Sequence, residues 1–508
     1  MTSLWLDHFP VGLPVPLRDG ARYDDVVIGA GLAGLCTAIM LAAAGRSVAV
    51  LEARHRGAVT TGNTTAKLSL LHGSKLSALR RHHPAPLARA YVDANRDGQS
   101  WLLEFCRAHA VPLEIRDAVS YAGTESGAST IDEEIEACTE AGLPVVRTDE
   151  TELPVPTFGA VVLADQYQCN PMDVVSALAT ELLRLGGELY EGVTVTDVSA
   201  FGTRTVETDH GDVEAENVVL ATGMPFLDRG LYFTKLSPLR SYALAFDVPG
   251  ELPQAMYLSV DSPSRSVRTA TVNGATKLLV GGNGHEVGRH SSPRDLVTDL
   301  EEWTQSNFPG ARRTHAWSAQ DYSPHNHIPF VGKLPRGARH VYIATGFDKW
   351  GMSNAPAAAL RITGEILGTE LPDWARVLGR RLTVPADLVE GGLEGLSVAG
   401  ETLRGWIGAE LSPLPDEPPA AGEALVGRRG VAPVAISNVD GRVCAVSAVC
   451  PHLGGVVTWN NAESSWDCPL HGSRFAANGD RLEGPATRGL SAVALGADAS
   501  ERIAGGGV

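Results

Sequence analysis

Residues 24–52 read DDVVIGAGLAGLCTAIMLAAAGRSVAVLE. A β-branched run precedes three patterned glycines, and an Ala- and Leu-rich run then leads to a second apolar run that ends on Glu52. This order predicts strand, turn, helix and strand, the context in which a glycine fingerprint binds a dinucleotide. Gly29 permits the tight turn, Gly31 lets the backbone approach a pyrophosphate, and Gly34 lets the helix pack close to the sheet.

The predicted helix N-terminus faces the phosphates, because its unpaired N–H groups and its dipole favour anions. We expect Glu52 to accept hydrogen bonds from both ribose hydroxyls, and Ala53 and Arg54 to contact the same cofactor. Two simpler interpretations compete. The run from Val26 to Gly45 is uncharged and about as long as a membrane span, and a glycine pattern can also form a turn without a ligand. The complete strand–turn–helix–strand unit argues against both.

Length and charge limit the classes of function. The chain has 508 residues, so we expect about two to four domains. Its formal charge of −17 argues against nucleic acid as a partner, because phosphates would be repelled. The opening residues MTSLWLDHFP show no signal peptide, and seven scattered cysteines do not suggest a disulfide framework. We therefore expect a cytoplasmic protein that does not span a membrane.

A loop of small polar residues, Thr60–Lys67, follows the fingerprint unit. We expect Thr65, Ala66 and Lys67 to bind the cofactor, with hydroxyl and amide groups around its diphosphate and the lysine charge near its ring. A solvated loop without a ligand is the competing interpretation. Buried strands that end in glycine turns are predicted at 218–223 and 340–346.

Alternating apolar and polar residues between 224 and 330 predict an antiparallel sheet on the substrate side, inserted into the cofactor domain. Helical patterns cover 76–110, 131–141, 172–185 and 355–367, and one strand is predicted over 188–198. Residues 368–410 are weakly patterned, and the Pro-rich stretch 412–422 predicts a semi-rigid linker. Short strands are predicted beyond it, at 433–439, 443–446 and 456–459.

The C-terminal part holds the motif with the most specific spacing in the chain. It reads Cys450-Pro-His452 and, fifteen residues later, Cys468-Pro-Leu-His471, so each of two loops offers one thiolate and one imidazole. Zinc accepts such a set, although one-residue spacing suits a zinc knuckle poorly. The glycines after each histidine let the loops close around a group larger than one ion.

Residues 425–495 resemble a Rieske [2Fe–2S] domain, which implies Cys450, His452, Cys468 and His471 as cluster ligands. Two departures separate this chain from the respiratory branch of that family. Gly455 and Leu470 stand where that branch has a disulfide, and Phe475 stands where it has a tyrosine directed at a thiolate. Since a hydroxyl donor is lost, we expect a reduction potential below that of the respiratory class.

The first 370 residues resemble the D-amino-acid-oxidase-like flavoproteins, a family that includes glycine and sarcosine oxidases. The resemblance rests on the fingerprint, the strand ending in Thr222-Gly223, and Ala344-Thr345-Gly346 with the helix that follows. It implies FAD as the dinucleotide. It also implies the following further cofactor contacts: Val195, Thr222, Gly223, Gly346, Trp350, Gly351 and Met352.

The same resemblance suggests where substrate binds. Tyr242, Arg240 and Arg268 fall on the predicted substrate sheet, where basic and tyrosine side chains often hold a substrate carboxylate. Lys349 and Trp350 lie in the turn expected near the flavin ring. Surface or sheet-edge charges are the competing interpretation for each basic residue.

These features predict an α/β, Rossmann-type FAD domain with an inserted antiparallel sheet, followed by a small all-β Rieske domain. The expected boundaries are 1–390 for the flavoprotein part, 391–422 for the connection and 423–508 for the Rieske part. Within the first part, FAD-binding segments are expected at about 20–75, 165–225 and 325–370, and substrate segments at 76–164 and 226–324.

The combination predicts an enzyme that oxidises a C–N bond of an amine or amino acid by hydride transfer to FAD. Its cluster would relay single electrons to or from an external carrier such as a ferredoxin. Three alternatives stay open: a ferredoxin-fed reductase, a non-catalytic redox carrier or sensor, and a Rieske oxygenase, for which no iron-site candidate is visible. Substrate identity, the direction of electron flow, covalent attachment of FAD and oligomeric state do not follow from the residues.

Overall fold

The computed structural model describes residues 1–494 except 11, 13–14, 200–201, 336–338, 380–399, 401–405, 407–412, 415–416 and 430–431. The strands of the N-terminal part, in chain order, are β1 (Arg22–Ile28), β2 (Val48–Glu52), β3 (Lys67–Leu68), β4 (Glu114–Tyr121), β5 (Val146–Thr148), β6 (Ala160–Gln168), β7 (Glu188–Glu191), β8 (Val195–Val198), β9 (Arg204–Thr208), β10 (Gly211–Leu220), β11 (Leu236–Asp247), β12 (Met256–Ser259), β13 (Arg265–Val272), β14 (Ala275–Glu286), β15 (Arg312–Pro324), β16 (Phe330–Lys333) and β17 (Val341–Thr345).

The strands of the C-terminal part are β18 (Ala424–Arg429), β19 (Ala432–Val439), β20 (Arg442–Ser447), β21 (Thr458–Asn460), β22 (Ser465–Asp467), β23 (Arg474–Ala476) and β24 (Arg481–Glu483). The helices are α1 (Leu32–Ala43), α2 (Thr60–Asn63), α3 (Lys75–His82), α4 (Ala85–Ala108), α5 (Ala128–Glu140), α6 (Pro171–Arg184), α7 (Pro293–Asn307), α8 (Gly351–Leu367) and α9 (Asp373–Gly379).

The fingerprint strand β1 lies inside a sheet with the order β16-β17-β10-β1-β2-β7, and β1 pairs in parallel with both β10 and β2. Its apolar run is continuous because both faces are covered. Val27 joins the core formed with α1 and α8, whereas Val26 and Ile28 pack into a second core on the other side. A methyl group on Gly34 would lie 1.9 Å from the carbonyl oxygen of Gly29, so glycine there lets α1 approach the sheet.

The second large sheet has the order β15-β11-β14-β13-β12-β4-β6-β3 and is mainly antiparallel. It contains the alternating segments between 224 and 330, together with strands from before residue 170. A cofactor-type parallel sheet and an antiparallel substrate-side sheet are therefore both present, and the fold class predicted from the sequence is confirmed.

Several local predictions are corrected. The strand predicted over 188–198 is two strands, β7 and β8, because Gly192 turns the chain with a φ of +78°. The helix predicted over 76–110 is two helices, separated at His83-Pro84, since proline breaks the hydrogen-bond ladder. Helix α8 begins four residues earlier than predicted, and α9 lies in a stretch read as weakly patterned. Most of the connection expected at 391–422 falls outside the described residues.

The C-terminal part forms two small antiparallel sheets, β18-β19-β20 and β21-β22-β23-β24. Its core contains both motif cysteines with Trp466 and Phe475, each fully enclosed. The small all-β domain packs on the second large sheet. Thr458 donates a hydrogen bond to the Gly288 carbonyl (2.9 Å), and Arg294 donates to the backbone of Asn461 (2.9 Å).

Candidate functional site

A cavity of about 360 Å³ is lined by residues from both large sheets. Most of the residues predicted to bind cofactor or to act in catalysis meet on its wall. They are Gly29, Gly31, Glu52, Ala53, Arg54, Thr65, Lys67, Val195, Thr222, Gly223, Tyr242, Gly346, Lys349, Trp350, Gly351 and Met352. Gly34, Ala66, Arg240 and Arg268 do not line it.

The fingerprint end of the cavity suits a dinucleotide. Gly31 is the N-cap of α1 and has no side chain over the positive end of the helix dipole, where the Leu32 N–H donates to Thr61 Oγ1 (3.1 Å). The Glu52 carboxylate accepts from the N–H groups of Ala30 (2.8 Å) and Arg54 (2.9 Å), and burial raises its pKa. These residues therefore fit the diphosphate and ribose of FAD.

Lys67 lies on the wall between the two sheets. Its Nζ donates to the carbonyl oxygen of Tyr257 (2.6 Å) and to the hydroxyl of Ser266 (2.7 Å). Burial, with a smaller contribution from Arg268, lowers the pKa of Lys67 to about 7. The Lys67 amine is therefore only partly protonated at neutral pH.

The turn before α8 is held in an unusual backbone conformation. Asp348 and Lys349 both have positive φ angles, 49° and 70°, which side-chain-bearing residues seldom adopt. Lys75 forms a buried ion pair with Asp348 (2.5 Å), and the Asp321 carboxylate accepts from the Lys349 N–H (2.6 Å). These contacts place Lys349 and Trp350 on the cavity wall. The positive φ angles of Asp348 and Lys349 are a form of backbone strain that often accompanies binding sites.

The side chain of His72 supports Trp350 from behind the cavity wall. The imidazole of His72 stacks on its ring, with centroids 4.2 Å apart. His72 is fixed by hydrogen bonds with the Tyr91 hydroxyl and the Ser69 carbonyl, both 2.8 Å, and burial lowers its pKa to about 3. A neutral imidazole therefore backs the indole and sets the orientation of its ring.

The structure does not bring two of the predicted substrate residues, Arg240 and Arg268, to the cavity. Arg240 points away from the cavity and forms ion pairs with Glu463 and Glu483 of the C-terminal domain. Arg268 is also enclosed, and it donates to the backbone carbonyls of Ala66 (3.0 Å) and Cys169 (3.2 Å). Because both guanidinium groups have protein partners, neither is placed to hold a substrate carboxylate.

Alternation along β11 places Arg240 away from the cavity, between the lining residues Leu239 and Ser241. The pairing of β11 with β14 shifts register between Arg240 and Tyr242, and Tyr242 also lines the cavity. After burial, the charges of Glu463 and Asp467 help to raise the pKa of the Tyr242 phenol. Ser241 faces the cavity. Its hydroxyl is buried and has no hydrogen-bond partner among the described residues. The sequence signal for Ser241 was this alternation, which a small polar residue makes easy to overlook.

Strand β15 supplies four further cavity residues that the sequence did not indicate, and two of them, Gln320 and Asp321, carry amide or carboxylate groups. Burial raises the pKa of Asp321 to about 6, although the N–H groups of Lys349 and Tyr322 donate to its carboxylate. Neither residue belongs to a recognisable motif. Both become visible as site residues only when β15 pairs with β11.

The two cysteine–histidine loops share one backbone conformation. In the first, the Gly454 N–H donates to the Cys450 carbonyl (3.1 Å), and in the second the Gly472 N–H donates to the Cys468 carbonyl (3.1 Å). Both glycines have a φ of +77°. Each loop therefore turns back at the fourth residue after its cysteine, while the histidine stands two residues after Cys450 and three after Cys468.

The four motif side chains converge. The imidazole rings of His452 and His471 are perpendicular, with centroids 5.1 Å apart, and both cysteines are buried beside them. The Nε2 atom of His471 is enclosed without a hydrogen-bond partner among the residues the structure describes. Two thiols and two imidazoles are the donor set that a Rieske [2Fe–2S] cluster requires.

The second loop packs directly against the cavity wall. Gln320 Nε2 donates to the carbonyl oxygen of Gly472 (2.8 Å), while the Gln320 carbonyl accepts from Thr60 (2.6 Å) inside the cavity wall. The ring of Phe233 meets His471 edge to face at 5.3 Å. Only one residue of β15 therefore separates this loop from the cavity at that point.

A buried ionic network joins the two domains. Arg240 pairs with Glu463 and Glu483 (both 3.2 Å), and Arg474 pairs with Glu483 (2.6 Å), Glu463 (3.0 Å) and Asp467 (3.1 Å). Burial by itself would raise the pKa of Glu483, but the two arginines hold it below its ordinary value. Every charge has a partner, so the network fixes the orientation of the docked domain.

The family model of FAD dependent oxidoreductases (DAO) matches residues 24–364. The chain belongs to this family. The model of the Rieske [2Fe-2S] domain matches residues 415–494. The cofactors of this flavoenzyme are therefore FAD and a Rieske [2Fe–2S] cluster, as expected from the sequence.

Known proteins resemble the whole chain or one of its parts. The "Putative Rieske 2Fe-2S iron-sulfur protein YhfW" of Bacillus subtilis is 30% identical over 97% of both chains. A cytochrome b6-f complex iron-sulfur subunit from Synechococcus is 51% identical over 53 residues, which are 10% of this chain and 31% of that subunit. The whole-length similarity shows that this combination of domains also occurs elsewhere.

Solved structures resemble the flavoenzyme part. Glycine oxidase from Geobacillus kaustophilus has a TM-score of 0.60 at 20% identity and covers 71% of this chain and 100% of its own. L-amino acid deaminase from Proteus vulgaris has a TM-score of 0.59 at 14% identity and covers 73% of this chain and 100% of its own. At these identities the similarity establishes the fold of the flavoenzyme.

The Rieske domain of this flavoenzyme departs from the respiratory branch as its sequence indicated. Leu470 packs on Gly455, where a methyl group on the glycine would lie 2.7 Å from the leucine side chain. An apolar contact thus joins the loops at Gly455 and Leu470. Ser473 Oγ accepts from the Ala486 N–H (3.0 Å), and Phe475 is fully buried without a hydroxyl to donate.

Within the described part of the chain, every helix is too short or too polar to cross a membrane.

Proposed function

We propose that this flavoenzyme oxidises the C–N bond of an amine or amino acid by hydride transfer to FAD, and that its Rieske cluster relays single electrons to or from an external carrier protein such as a ferredoxin. FAD exchanges two electrons with an organic substrate, whereas a Rieske cluster exchanges one at a time. One chain that holds both groups converts two-electron chemistry into one-electron transfer.

The observation that carries this proposal is the hydrogen bond from Gln320 to Gly472. Gln320 lines the cavity, and Gly472 follows the predicted cluster ligand His471. The docked domain therefore presents its second ligand loop to the wall of the flavin site. A cluster with an unrelated role would have no need of this placement.

We assign the cluster to Cys450, His452, Cys468 and His471. The FAD adenosine is assigned to the Glu52 end of the cavity, its diphosphate to the α1 N-terminus, and its ring to the region between Lys67 and Trp350. Gly223 and Gly346 close that region, both with positive φ angles. In this arrangement α8 directs the positive end of its dipole at the ring, because its N-cap Trp350 and its first residues Gly351 and Met352 line the cavity.

Substrate is assigned to the side of the cavity formed by the antiparallel sheet. A methyl group on Gly284 would lie 3.0 Å from Lys349 Nζ and 3.1 Å from Ser241 Oγ, so these polar groups approach the same point. An ammonium and a hydroxyl together suit a carboxylate. The neighbouring folds include a glycine oxidase and L-amino acid deaminases, which supports an amino acid as the substrate class.

The test is a panel of amino acids, N-methyl amines and polyamines added without oxygen. A substrate is expected to bleach the flavin absorbance, and the EPR signal of the reduced cluster is expected to follow. The Cys468→Ser variant, which removes a proposed cluster ligand, should still bleach with the substrate but should lose rapid electron transfer to a one-electron acceptor.

Two outcomes would contradict the proposal. Fast peroxide formation that is unaffected by loss of the cluster would show that the cluster does not relay electrons from the flavin. Failure of the whole panel to reduce the flavin, combined with flavin reduction by reduced ferredoxin through the cluster, would reverse the direction of electron flow.

A further inference from the structure

The Rieske domain contributes directly to the wall of the FAD cavity. The wall includes a continuous segment of this domain, 481–485, and also Thr487. This segment contains β24 and lies more than 280 residues beyond Thr194, its neighbour on the flavoenzyme side. The family model of the flavoenzyme ends at residue 364, so these contacts come from outside the part of the chain that defines the family.

Arg481 is the charged residue of this segment that reaches the Glu52 end of the cavity. Its Nη2 donates to Thr194 Oγ1 (3.0 Å). Burial lowers the pKa of Arg481, and the nearby carboxylates of Glu52 and Asp209 act in the opposite direction. In return, Arg54 Nη1 donates to the Leu482 carbonyl (3.4 Å). The two domains therefore contact each other at the Glu52 end of the cavity, where the carboxylate of a dinucleotide fingerprint binds the adenosine ribose.

We propose that the Rieske domain completes the FAD site, that Arg481 binds the adenosine half of the cofactor, and that FAD leaves only when the Rieske domain lifts from the flavoenzyme domain. A guanidinium is suited to this task because it both stacks on an aromatic ring and donates hydrogen bonds to ribose or adenine acceptors. The inference rests on the placement of FAD given under the proposed function.

The ionic network opposes separation of the Rieske domain from the flavoenzyme domain. Arg240 and Arg474 hold three carboxylates of the interface, and separation of the domains would expose Arg240 to water without its partners. Glu483 lines the cavity, but its network partners Glu463, Arg240 and Arg474 do not. Loosening the network at Glu463 should therefore change the release of FAD without removing any contact to FAD.

The experiment measures the rate at which full-length holoprotein releases FAD on dilution, followed by the rise in flavin fluorescence. Arg481→Gln is expected to release FAD at least tenfold faster than the native chain, and Arg481→Lys to fall between them. Arg488→Gln is the matched control, because Arg488 is exposed in the same domain and does not line the cavity. Visible circular dichroism of the cluster reports whether each variant keeps a folded Rieske domain.

Two further arms test the separate parts of the proposal. Binding of ADP to flavin-free protein should weaken in Arg481→Gln by a factor similar to that for FAD. Glu463→Gln, which weakens the network outside the cavity, should also accelerate FAD release while leaving the cluster spectrum intact.

An unchanged release rate in Arg481→Gln overturns the role of Arg481, and an ADP affinity that does not change overturns its contact with adenosine. Native release from Glu463→Gln overturns the lifting step. None of these readings depends on turnover, so failure of the substrate proposal would leave them interpretable.

Discussion

The two cysteine–histidine loops have the same backbone hydrogen bonds but opposite surroundings. In the first loop, Leu453 is 43% exposed, and a methyl group added to Gly454 would meet nothing within 4 Å. In the second loop, the corresponding methyl group on Gly472 would lie 2.6 Å from Gln320 and 2.7 Å from Pro238 of the flavoenzyme domain. Local sequence sets the shape of each loop, and the partner domain decides which side of the cluster meets the flavin site.

The largest expected effect comes from breaking the network that holds the second loop in place. Arg240→Met would leave Glu463 and Glu483 enclosed with less positive charge, and we expect the free energy of unfolding to fall by about 3–5 kcal/mol. Urea unfolding followed by cluster absorbance measures this. Arg313→Gln is the control on the neighbouring strand, because its pair with Glu301 is partly exposed and should contribute only about 0–1 kcal/mol. Equal effects in the two variants would show that the network does not stabilise docking.

The next largest effect on stability is expected at Gly454 and Gly472, which occupy corresponding positions in the two loops. Gly454→Ala and Gly472→Ala both place a side chain at a φ of +77°, which costs about 1–2 kcal/mol in either loop. Gly472→Ala should lose about 1–3 kcal/mol more, because its methyl group collides with Gln320 and Pro238. The difference between the two variants in thermal unfolding measures the contact of the second loop with the flavoenzyme domain. Identical losses would mean that the domains are not packed in this way.

The interface also shows what sequence alone can and cannot provide. The fingerprint from Gly29 to Glu52 and the spacing of Cys450 to His471 are local patterns, so they supported the family resemblances that implied the fold class and both cofactors. Arg240 looked like a substrate residue because it lies on the right strand. Its partner Glu463 is 223 residues away, and no pattern in the chain links the two. Asp321 was missed for the same reason, since pairing of β11 with β15 brings it to the cavity.

A third prediction concerns β15, the strand on which the second loop rests. Because burial raises the pKa of Asp321 to about 6, above its ordinary value, the folded flavin-free protein binds this proton more tightly than the unfolded chain. The free energy of unfolding should therefore fall as pH rises from about 4 to 6, by on the order of 2 kcal/mol. Asp321→Asn should remove this part of the pH dependence. A native-like profile in the variant would show that Asp321 does not titrate in this range.

The smallest expected effect tests the electronic consequence of the second loop's departure from the respiratory pattern. Phe475 lies two residues beyond Ser473 in the core that encloses both cluster cysteines. Phe475→Tyr would place a hydroxyl donor where the respiratory class has one, and a hydrogen bond to a thiolate withdraws charge from sulfur. Since such a bond contributes about 1 kcal/mol, the cluster potential should rise by on the order of tens of millivolts in a redox titration followed by EPR. Phe475→Leu alters packing at the same position without adding a donor and should not raise the potential. An equal rise in both variants would assign the change to packing, and the absence of the tyrosine would then no longer explain a low potential.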